Sequence, residues 1–158
     1  MKILILLLVT AIMLPSVTGC IPESALERMS TPLGELALPP LEYNISVAKE
    51  ATSVMNILET HMANGRNISR GEYPLEREIG NVAHSIKMVD EHIMAVAVLH
   101  PPEAETENTA ELLRRMHNAR NSLELYHDDL VDGKTEAIGG RVNLMRSDFS
   151  SLSGMMNP

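Results

Sequence analysis

Between Leu75 and Val96 an apolar residue recurs at alternating steps of four and three without a break, at Leu75, Ile79, Val82, Ile86, Val89, Ile93 and Val96. A repeat of seven residues keeps one stripe of a helix facing its neighbours only if the helices cross at about +20° with a left-handed supercoil. Two further runs carry the same spacing: Leu112, Met116, Ala119, Leu123, Tyr126 and Leu130, then Ile138, Val142, Met145, Phe149 and Leu152.

The punctuation between the runs predicts four helices. The first spans about Leu41 to Ala63, opened by Pro39-Pro40 and closed by Asn64-Gly65 as a left-handed C-terminal cap. The second spans about Pro74 to Leu99, with Glu76 and Glu78 at the positive end of its dipole. His100-Pro101-Pro102 ends it, because a residue before proline is pushed out of the α region. The third runs from about Pro102 to Val131 and stops at Asp132-Gly133. The fourth, Glu136 to Met155, carries Gly139-Gly140 in its first turns, read as close helix packing or a frayed start; each glycine costs up to ~1 kcal/mol against alanine. Short connections force neighbours to run antiparallel, so the expected fold is all-α, an up-down-up-down four-helix bundle over 41–158. The competing arrangement is three helices with a loose C-terminal segment.

The N-terminus carries a different kind of signal. Lys2, an apolar run from Ile3 to Leu14 and then small residues have the layout of a secretory leader, too short for the ~20 apolar residues of a spanning helix. Val17-Thr18-Gly19-Cys20 closely resembles the lipobox of prokaryotic membrane lipoproteins, in which a hydrophobic residue, a small residue and Gly or Ala precede a lipidated cysteine. The resemblance covers the first twenty residues only. It implies that 1–19 is a signal peptide, that Cys20 becomes an acylated N-terminus, and that the protein is exported and anchored facing the periplasm or cell exterior. Cys20 is the single cysteine, so no intramolecular disulfide competes for its thiol. Acyl chains contribute about 0.8 kcal/mol per buried methylene, and the two or three typical of lipoproteins hold a protein at a bilayer far better than one. Residues 20–40, with Pro22, Pro32, Pro39 and Pro40, are expected to form a flexible tether that spans up to ~60 Å when extended.

Charge and composition narrow the partners. A formal charge of −8, one unit more negative without Lys2, argues against nucleic acid, whose phosphates need clustered Lys and Arg. Trp is absent and Tyr43, Tyr73, Tyr126 and Phe149 are the only aromatics, leaving little to stack on bases, sugars or flat cofactors. No cofactor is expected. The partners expected are the membrane, through the lipid on Cys20, and an envelope protein.

Candidate chemistry comes from six histidines and eleven methionines. His84, Met88 and His92 stand at i, i+4 and i+8 on an outward stripe, a candidate copper or zinc site because imidazole and thioether suit such ions. Its outer members lie about 12 Å apart along the axis, so one ion would take only adjacent members. His61 and His117 are expected to project away from their seams. Glu124 and His127 form one Glu-x-x-His pair where di-iron bundles need two. Adjacent acids such as Asp128-Asp129 and Asp90-Glu91 are read as solvated surface. Asn44 and Asn67 head glycosylation sequons, with Asn67, expected in a loop, the better acceptor. No Gly-x-Ser-x-Gly elbow or phosphate-cradling glycine loop occurs. The pattern therefore favours a non-enzymatic binding or scaffolding module at the cell envelope, with envelope metal handling as the alternative.

Overall fold

The structure, a computed structural model, describes residues 38–156. The leader, Cys20 and most of the tether lie outside that range. Four helices follow in order: α1 Pro40–Ile68, α2 Leu75–Ala97, α3 Thr106–Val131 and α4 Ile138–Met156. A short 3₁₀ turn precedes each of the last two, Glu103–Glu105 and Thr135–Ala137. The helices close a ring in which α1 packs on α2, α2 on α3, α3 on α4 and α4 on α1. One diagonal is short: α1 also touches α3, whereas α2 and α4 do not meet.

The seven-residue stripes form the core. Every member of the α3 run is buried, as are Val82, Val89, Ile93 and Val96 of α2 and Ile138, Val142, Met145 and Leu152 of α4. Helix α1 contributes Tyr43, Val47, Ala51, Val54, Leu58 and Met62. Burying each larger apolar side chain of this set stabilises the fold by about 1.5–3 kcal/mol. Because the fourth run supplies one complete side of the ring, the three-helix alternative is excluded.

Helix ends show where local chemistry overrode the expected punctuation. Gly65 does not cap α1; it lies within the helix, buried, and α1 continues to Ile68. A Cβ built on Gly65 would stand 2.7 Å from Val142 Cγ2 and 3.1 Å from the Tyr126 hydroxyl. The residue is therefore a contact glycine where three helices converge, and it lets α1 approach α3 across the short diagonal. The left-handed turn falls instead at Gly71, φ 73°. There Glu72 N–H donates to the Asn67 carbonyl and Gly71 N–H to that of Ile68, the paired bonds of a Schellman motif. Gly133, φ 68°, closes α3 the same way, with Lys134 N–H to Asp129 and Gly133 N–H to Leu130, where the sequence places that stop. At Gly139 and Gly140 an added Cβ would meet nothing within 4 Å, so neither is a packing glycine.

No helix among the described residues is long and apolar enough to cross a membrane.

Candidate functional site

The α1–α2 interface carries a largely buried polar network that unites an imidazole, a carboxylate and a hydroxyl. Contrary to expectation, His61 points inward and is only 1% exposed. Its Nδ1–H donates to Glu78 Oε1 at 2.6 Å, and its Nε2 lies 2.8 Å from the Ser85 hydroxyl, which donates to it when the ring is neutral. The second Glu78 oxygen accepts from Asn64 Nδ2 at 2.7 Å. Glu78 is fully buried rather than facing water at the helix start, and its two oxygens are satisfied by α1 donors. The Tyr126 hydroxyl is also buried and makes no hydrogen bond among the described residues. Burial, and after it the negative charge of Glu78, pushes that phenol's pKa well up, so it stays protonated.

Local sequence explains the placement. Glu78, Ser85 and His92 are spaced by seven and flank Val82, Val89 and Val96 on the side of α2 that faces α1. His92 repeats the theme with reversed polarity: its Nδ1–H donates to Glu50 Oε2 of α1 at 2.6 Å, where both side chains are about one-fifth exposed. One pair thus has its imidazole on α1 and the other has it on α2. A polar series at heptad spacing beside an apolar one was the signal available in the sequence, and reading Glu78 only as an acid at the helix start missed it.

Hydroxyl, imidazole and carboxylate in this order make up the relay that activates a nucleophilic serine. The geometry lacks the rest of that machinery. Ser85 lies in mid-helix, and three surface depressions of about 340–530 Å³ are lined by other residues. What the arrangement does chemically is give each polar atom of His61 and Glu78 a partner, which is how a buried hydrogen-bonded pair holds two helices in one alignment rather than unfolding them.

The remaining candidates are scattered. His84 is exposed on α2, Met88 is part-buried, and His92 is held by Glu50. No group of three or more His, Cys, Asp or Glu placed to hold a metal occurs among the described residues. His117 is exposed, as its spacing predicts. His127 flanks the core, its Nδ1 3.7 Å from Asp128, and Glu124 pairs with Arg120 rather than with His127. Asp129 is not solvated surface: it is buried and accepts from Arg141 Nε at 2.6 Å, tying α3 to α4. Asp90 accepts from Arg120 Nε across α2 and α3. Asn67 sits part-buried in the last turn of α1, not in a loop. Asn44 is exposed near the start of the same helix.

No family model, curated protein or solved structure matches the chain.

Proposed function

We propose that this protein is a lipid-anchored module of the cell envelope that acts by binding or scaffolding, without catalysing a reaction. The observation that supports the non-catalytic part is that His61 and Glu78 are buried with their polar atoms committed to one another, to Asn64 and to the part-buried Ser85, in mid-helix. The anchored part rests on Val17-Thr18-Gly19-Cys20 and the leader before it. A bundle whose first helix has 29 residues is about 43 Å long, a stiff body to present surfaces away from a membrane.

Membrane fractionation with mass spectrometry tests the reading. The native chain should begin at Cys20 and carry acyl groups, and Cys20→Ala should move it from the membrane to the soluble fraction. An intact leader, or a free Cys20 thiol, overturns the anchor. Cross-linking in intact cells should then recover a defined envelope partner, and turnover of ester or amide substrates that disappears in Ser85→Ala would overturn the non-enzymatic role.

A further inference from the structure

The outer face of the same end of α1 forms, with α4, a shallow depression of about 340 Å³ lined by Arg66, Ser69, Arg70, Gly139, Val142, Asn143 and Arg146. Three guanidinium groups surround it and no carboxylate lines it, in a chain of formal charge −8. Elsewhere among the described residues four arginines are answered by carboxylates, and Arg77 lies over the Tyr73 ring. Arg114 and Arg115 grip Glu111, drawing its carboxyl down to about 2, while Arg120 meets Asp90 and Glu124, and Arg141 meets Asp129. Around the depression, Arg66 and Arg146 form no ion pair among the described residues. Arg70 has only a 4.0 Å contact to Glu72, with both side chains more than half exposed, a kind of pair that contributes little.

Structural needs explain part of this. The negative end of the α1 dipole favours Arg66 in its last turn and Arg70 just beyond it. It does not explain Arg146, which lies in the middle of α4, nor why like charges gather where an acidic chain has carboxylates to spare. Arg66, at the end of α1, and Arg70, in the turn beyond it, set like charges beside one depression, which is mutually unfavourable. The polar groups beside them leave room for a ligand. The Ser69 hydroxyl donates to the Gly65 carbonyl, which keeps its oxygen lone pairs available, and Asn143 receives Arg146 on its Oδ1, which leaves its amide protons free to donate. Gly139 adds no side chain to the rim.

We infer that this depression binds a phosphomonoester. Guanidinium forks match the geometry and charge of a phosphate dianion and bind it through paired hydrogen bonds. The lining offers no aromatic face and Val142 as its one larger apolar residue, so the group carrying the phosphate is a polyol or sugar rather than a nucleobase. The site stands on the described bundle alone and owes nothing to the anchor.

Calorimetric titration of the purified full-length chain in detergent tests this with glucose 6-phosphate, the short-chain lipid dioctanoyl phosphatidic acid, and glucose as the uncharged control. Binding of a phosphomonoester but not glucose is expected, with affinity lowered roughly tenfold or more by Arg66→Gln and by Arg146→Gln. Arg77→Gln removes an arginine that also lacks a carboxylate but lies over Tyr73, 5.7 Å from its ring centroid, and should leave binding unchanged. Binding of the sugar phosphate identifies a soluble or polymer-borne ligand, and binding of phosphatidic acid alone identifies a lipid headgroup; both support the site. Absence of any binding up to about 10 mM, or equal weakening by Arg77→Gln, overturns it. The substituted residues are surface arginines, and an unchanged helical circular dichroism spectrum checks that each variant is folded.

Discussion

His61 and Arg66 stand little more than a turn apart on α1, yet they belong to opposite regimes. On the inner face every buried charge is met: Glu78 receives His61 and Asn64, and His61 spends its second nitrogen on Ser85. On the outer face three arginines converge with no carboxylate among them. Inside, an unanswered charge costs several kcal/mol, so selection for folding alone suffices to pair it. Outside, water answers charges at little cost, so a cluster left without counterions is one that folding did not demand. Completed networks therefore speak to architecture, and incomplete ones on a surface to ligands.

The contrast can be broken most sharply at Glu78. Glu78→Ala leaves His61 and Asn64 without their partner and should lower unfolding stability in urea by about 3–5 kcal/mol, with His61→Ala close behind. An effect below about 1 kcal/mol for both would show that the interior pair is as dispensable as a surface one.

Gly65→Ala comes next. Its Cβ would meet Val142 and Tyr126 inside contact distance, and a loss of about 1–3 kcal/mol is expected from the forced displacement. The glycines beside the arginine depression should answer oppositely. Gly139→Ala and Gly140→Ala enter open space on a helix and should each raise stability by up to ~1 kcal/mol.

Asp148 offers a test by pH. Burial raises its carboxyl above the ordinary 3.8, and the hydroxyl bond from Ser122 offsets only part of that. A carboxyl whose pKa is higher in the folded state favours folding fully below the unfolded value, and that advantage is lost as pH rises through the folded value. Asp148→Asn should therefore flatten the decline in melting temperature above about pH 4 and match or exceed the parent chain near pH 7. A variant that is less stable at pH 7 would mean that the ionised carboxylate is worth keeping.

The smallest effect belongs to the outer arginines. Arg66→Gln and Arg146→Gln should shift stability by no more than about 0.5 kcal/mol while weakening phosphate binding. A loss comparable to that at Glu78 would make the cluster architectural and erase the distinction.

The apolar repeats of 75–96, 112–130 and 138–152 give three of the helices, because periodicity is a property of many residues at once, and the proline and glycine punctuation adds the first and closes the ring. The end of α1 was not legible, because Asn64-Gly65 reads as a stop and no local pattern sets it apart from Arg70-Gly71, where the turn falls. What separates them is tertiary: Val142 and Tyr126 press on the first glycine and hold it helical. His61 was misplaced because its neighbour Met62 also lies on the buried side, so a stripe drawn through apolar residues alone passes the histidine by. Asp129 was hidden for a related reason, since its partner Arg141 belongs to another helix and no local spacing links them. The arginine depression is assembled from α1 and α4, more than sixty residues apart in sequence, and composition gave only the acidic average that conceals it.

The reversed polarity of the two imidazole–carboxylate pairs has a consequence for how the first hairpin chooses its alignment. Sliding α2 by one heptad keeps valines at the places of Val82 and Val89 and fails only at the helix end, where Glu103 would replace Val96, so apolar packing along most of the stripe discriminates weakly against the error. The same slide would set Ser85 and His92 against His61, and would leave Glu50 facing Leu99 with no proton donor. The polar ladder therefore works as a reading frame for the hairpin, since only one offset gives both acids a base.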